Sequence, residues 1–115
     1  MSAIRVVDYD PAWPQQFEQW KQRLSALLAG LLDDVHHIGS TAVPGLSAKP
    51  KIDIDAVLSS NGVLAEGIER VKSLGAFTFH GDPYGDGRWT FTEGRTVGVR
   101  LYLCGPDNAT HAERI

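Results

Sequence analysis

A chain of 115 residues with 43% hydrophobic and 22% charged side chains and a formal net charge of −3 has the composition of one ordinary folded domain. At this length a chain folds to a radius of gyration of roughly 13 Å and buries about two-thirds of its unfolded surface, enough for one modest core and too little for two. The slight acidic excess without a Lys/Arg cluster excludes a broad electrostatic footprint for nucleic acid, and the single cysteine, Cys104, excludes an internal disulfide and a cysteine-rich zinc cage.

In chain order, the apolar run Ile4 to Val7 is a first strand candidate that stops at Asp8-Tyr9-Asp10-Pro11, where aspartate before proline predicts a helix start. Trp13, Phe17, Trp20, Leu24, Leu27, Leu28 and Leu31 then recur at intervals of three and four and form one apolar stripe. That spacing assigns the two tryptophans to packing rather than to base stacking. Val35 to Ile38 is a second strand candidate and runs into a stretch of turns containing Gly39-Ser40-Thr41, Pro44-Gly45 and Lys49-Pro50. Lys51 to Leu58 alternates, which puts Ile52, Ile54, Ala56 and Leu58 on one face of a strand and Asp53 and Asp55 together on the other. Asn61 is placed to cap a helix carrying Val63, Leu64, Ile68, Val71 and Leu74, closed by Gly75. Ala76 to His80 and Arg88 to Glu93 read as a hairpin around the turn-rich tip 81–87. Thr96 to Cys104 is a further strand, with Val97, Val99, Leu101 and Leu103 facing the core and Gly98, Arg100 and Tyr102 facing away. Asp107-Asn108 would cap a last helix from Ala109, which at Ile115 has run about two turns and reads as cut short.

The chemistry concentrates in Ile38-Gly39-Ser40 and Asp53-Ile54-Asp55, with twelve residues between the serine and the first aspartate. Glycine lets the backbone approach a phosphate, a helix N-terminus and a serine hydroxyl donate to its oxygens, and two hard carboxylates on one strand face can hold Mg²⁺. This pattern resembles the signature of the nucleotidyltransferase superfamily. The longer block His37 to Ile54, with Tyr9-Asp10-Pro11-Ala12-Trp13 and the helix start from Asn108 to Arg114, resembles the GrpB family over essentially the whole chain. A similar domain is fused to dephospho-CoA kinase in some bacteria.

The resemblance implies a single domain over residues 1–115: an α/β (α+β), minimal nucleotidyltransferase-like fold, its mixed sheet carrying helices mainly on one face. The implied activity is Mg²⁺-dependent nucleotidyl transfer, with Asp53 and Asp55 as catalytic metal ligands and Gly39, Ser40 and Thr41 holding phosphates. Lys49, Lys51, Arg88 and Arg100 are further phosphate-binding candidates, and His37 and Tyr102 are ligand-orienting candidates. Adjacent His36 and His37 must point to opposite faces of a strand, and His80, His111 and Cys104 lack ligand spacing. Two departures from the family pattern stand out. A third carboxylate is missing from the outward positions Gly98, Arg100 and Tyr102, and Arg100-Leu101-Tyr102 replaces a His-x-His-like pair. They leave two alternatives open: a non-catalytic module binding a nucleotide or a CoA-like phosphate ester, or an interaction domain forming a homodimer. The expected partner is an NTP or another phosphate-containing small molecule, not nucleic acid or membrane. With no secretion signal and no apolar run near the ~20 residues of a bilayer span, the expected location is the cytoplasm.

Overall fold

The apolar stripe from Trp13 forms helix α1 (Trp13–Leu27) in a computed structural model that describes residues 6–94 and 98–114. Trp13, Phe17, Leu24, Leu28 and Leu31 are buried, and Trp20 and Leu27 are partly buried against the same core. The helix begins two residues later than the Asp-Pro pair predicts. Asp10 acts one step ahead of it: its Oδ1 accepts from Ala12 N at 2.8 Å and its carbonyl from Trp13 N at 3.0 Å, so Pro11 and Ala12 form a lead-in turn.

Strands β1 (Leu32–Ile38), β2 (Lys51–Leu58), β3 (Thr78–Gly81), β4 (Trp89–Glu93) and β5 (Gly98–Cys104) form one sheet in the order β1-β2-β5-β4-β3. The pairing is antiparallel except between the central strands β2 and β5, which are parallel, so the sheet is mixed. Of the first strand candidate, Ile4 and Arg5 lie outside the described residues, as do Thr96 and Val97 before β5. Val7 makes an isolated antiparallel bridge to Ala48.

Side-chain alternation sorts the sheet into two faces. Ile52, Ile54, Ala56 and Leu58 of β2 join Val99, Leu101 and Leu103 of β5 and Phe91 of β4 in one core with α1 and helix α2 (Leu64–Ser73). Fully burying a side chain of this size stabilises the fold by roughly 1.5–3 kcal/mol, so this layer dominates the energetics. A 3₁₀ turn at Asn61–Val63 leads into α2, and neither Ser60 nor Val63 caps it with a side chain; the Asn61 cap expected from sequence is replaced by that turn. Gly75 closes the helix at φ +69°.

The other face carries the short helix α3 (Ala109–Arg114), begun as predicted by Asn108, whose Oδ1 accepts from His111 N at 2.9 Å. The helices are thus mainly on one face, with α3 covering part of the other. On this face Asp55, Val57, Tyr102 and Cys104 are buried although simple alternation would leave them outside, and α3 covers Asp55 through His111. Burial pushes the Cys104 thiol up to about 12, so it is a packing residue. Among the described residues no helix is long and apolar enough to cross a membrane.

Candidate functional site

The exposed part of the second face is a cleft of about 260 Å³ lined by Gly39, Ser40, Lys49, Lys51, Asp53, Arg100 and Tyr102. Each side is set by a local rule. Gly39 ends β1 at φ +75°, ψ −172°, a region essentially restricted to glycine, and so turns the chain into the 3₁₀ turn Ser40–Ala42. A Cβ on Gly39 would lie 2.7 Å from Asp53 Oδ2, so the glycine is also what lets the turn lie against the aspartate. Parallel pairing sets Asp53 beside Arg100 and Lys51 beside Gly98, which crowds no neighbouring side chain.

Four candidates lie outside this lining: Thr41, His37, Arg88 and Asp55. Thr41 is buried, donating through Oγ1 to the Lys51 carbonyl at 2.9 Å. That uses its one hydroxyl proton, so the 3.0 Å contact from His37 Nε2 is a donation by the histidine. His37 is on the helix-covered face, its ring stacked on Phe17 at 4.8 Å, and burial lowers its pKa. Thr41 and His37 therefore brace the turn from behind rather than line the cleft. The histidine on the cleft side of the sheet is His36, opposite Asp55 in the register.

Arg88 is 8% exposed, pairs through Nε with Asp86 Oδ2 at 2.8 Å and lies between the rings of Tyr84 and Tyr102. It supports the cleft wall from outside the lining. Asp55, expected beside Asp53 as a second metal ligand, is fully buried, and its Oδ2 is 2.7 Å from His111 Nδ1. Sequence reasoning missed this pair because 56 positions separate its members. Only the Asn108 cap, which fixes the helix phase around His111, gave a local hint.

Residues 3–115 match the family described as GrpB protein. The chain belongs to the GrpB family. A UPF0157 protein of Streptomyces coelicolor is 37% identical over 109 residues, covering 86% of this chain and 52% of that protein. A dephospho-CoA kinase of Mycolicibacterium paratuberculosis is 35% identical over 75 residues, covering 63% of this chain and 18% of the kinase. The crystal structure of conserved protein GrpB from Enterococcus faecalis superposes with a TM-score of 0.83 at 28% identity, covering 94% of this chain and 66% of that one. The chain spans about half or less of the length of the curated relatives it matches.

The electrostatics of this GrpB-family cleft differ from those of the chain as a whole. Its lining carries Lys49, Lys51 and Arg100 against Asp53, three cations to one carboxylate, in a protein of net charge −3. Burial raises the pKa of Asp53, opposed by Lys51 and Arg100. Burial likewise raises that of Asp55, opposed by its bond to His111. The two-carboxylate Mg²⁺ set expected from sequence does not fit this arrangement, because Asp55 is sealed and engaged by His111. Among the described residues no group of three or more His, Cys, Asp or Glu side chains is arranged to hold a metal ion. What the cleft offers is a small cationic recess with one carboxylate, suited to phosphate oxygens.

Proposed function

We propose that this cleft binds the phosphate groups of a nucleotide or a related phosphate ester. The carrying observation is that Lys49, Lys51 and Arg100 line one cleft with the Gly39–Ser40 turn. Arginine offers planar paired donors and lysine a point charge, while Ser40 adds a hydroxyl and glycine a close approach. Asp53 is the carboxylate available there to orient a ligand hydroxyl, Asp55 being committed to His111.

Nucleotidyl transfer is the second reading, supported by the packing of the Gly39–Ser40 turn against Asp53. In it Ser40 and the cations would hold the leaving phosphates, and Asp53 would accept a proton from the acceptor hydroxyl or align it.

The test is a calorimetric titration of ATP and inorganic tripolyphosphate, with and without Mg²⁺, on wild type, Lys51→Gln, Arg100→Gln and Asp53→Asn. Losing one charge-assisted contact of about 1.5–3 kcal/mol weakens binding on the order of 10- to 100-fold in either cation variant. Equal binding by wild type and both variants refutes the phosphate site. For the transferase reading, labelled NTP turnover must occur in wild type and vanish in Asp53→Asn; turnover that survives in the variant rejects that role for Asp53.

A further inference from the structure

Resting on the phosphate-site reading, we infer that the ligand carries a planar aromatic base, and that Tyr84 is the platform on which that base stacks. Tyr84 sits on the tip between β3 and β4 and is 51% exposed, the one aromatic among the large hydrophobic side chains exposed in the described residues. Its hydroxyl accepts from Arg100 Nη1 at 2.7 Å, so the ring stands at the edge of the cleft that Arg100 lines.

The ring is fixed from three directions. The Arg88 guanidinium lies 4.9 Å from its centroid and Arg100 holds its oxygen. The tip itself is closed by the Asp82 carboxylate, which accepts from Asp86 N at 3.2 Å and Gly87 N at 2.9 Å. Arg88 is in turn anchored by Asp86 and backed by Tyr102 at 4.7 Å. The result is a cluster in which the Arg88 guanidinium lies over both Tyr102 in the cleft wall and the half-exposed ring of Tyr84. An exposed ring held this firmly loses little side-chain freedom on binding, which is the condition for an effective stacking site. A cation against one side also leaves the ring electron-poor and suited to a base on the other. Phosphates in the recess and a base on Tyr84 would thus share Arg100 as a hinge, bonded to the ring and facing the phosphates.

The test compares ATP, GTP, CTP and UTP with inorganic tripolyphosphate on the full chain, in wild type, Tyr84→Ala and Tyr84→Phe. Base–aromatic stacking makes the nucleotides bind roughly 5- to 100-fold more tightly than tripolyphosphate in wild type. That advantage disappears in Tyr84→Ala and persists in Tyr84→Phe, which keeps the ring and drops the hydroxyl. If nucleotides gain nothing over tripolyphosphate in wild type, or if Tyr84→Ala weakens both kinds of ligand equally, the stacking site is rejected while the phosphate site stands. If neither kind of ligand binds wild type, both readings fall together.

Discussion

Replacing Gly39 by alanine separates two costs that the structure superimposes. At φ +75° and ψ −172° any L side chain is strained, by about 1–3 kcal/mol. The new methyl would also sit 2.7 Å from Asp53 Oδ2 and 3.4 Å from Asp53 Cβ and Cγ, so the carboxylate must leave its place. At about 4–6 °C per kcal/mol for a chain of this size, the backbone term alone lowers Tm by roughly 4–18 °C. Gly45 supplies the control: it has φ +80° with nothing within 4 Å of its Cβ position, so Gly45→Ala carries strain without a clash. Urea unfolding of Gly39→Ala, Asp53→Ala and the double variant completes the cycle. Gly39→Ala is expected to cost less in the Asp53→Ala background, the difference being the clash. Should Gly39→Ala cost under about 0.5 kcal/mol, or be equally costly in both backgrounds, the close approach of turn and carboxylate is wrong.

The pH dependence of Asp53→Asn follows from its raised pKa. The folded state keeps the Asp53 proton to higher pH than the unfolded chain, so the associated stability is full below the ordinary value of 3.8 and is lost as pH rises through the folded value. Asp53→Asn should therefore melt above wild type at about pH 7 and match it near about pH 3.5 in thermal scans; a lower Tm at pH 7 contradicts the burial argument. Asn108→Ala loses both the cap to His111 N and the 2.7 Å donation from Nδ2 to the Asp86 carbonyl, and should cost about 1–2 kcal/mol in urea unfolding, with Asn108→Asp recovering the cap alone. His111→Ala removes the donor to buried Asp55, with an expected loss of about 1.5–3 kcal/mol and faster amide exchange across α3. Unchanged exchange there would show that the pair does not fasten the helix.

Period and turn chemistry carried much of the architecture. Lys51 to Leu58 is the observed β2, and the paired outward positions of Asp53 and Arg100 do share a face. Those rules depend on neighbours within a few residues, and they place the strands and helices while missing two helix starts, at Asp10-Pro11 and at Asn61. They do not say what covers a face. Alternation puts Asp55 on the same face as Asp53 and so predicts a second metal ligand, whereas His111 of α3 closes over Asp55 and Asp53 stays in the cleft. His37 and Thr41 matched a motif by type, yet the stack on Phe17 and the bond to the Lys51 carbonyl depend on where α1 and β2 lie in space. Tyr84 had no sequence signal beyond its place in a turn-rich tip.

The central position of β5 bears on how the molecule assembles. It is the last in sequence of the five strands among the described residues, yet it lies between β2 and β4. Without it the strands can pair only as two antiparallel units, β1 with β2 and β3 with β4, because β5 is the one strand hydrogen-bonded to both. Parallel pairing of distant segments is entropically late, so joining these halves is the slow topological step. Arg100 comes in with that strand. A nascent chain ending at β4 would present the Gly39–Ser40 turn and Asp53 without their arginine, and ligand affinity should accordingly report completion of the sheet rather than formation of the motif.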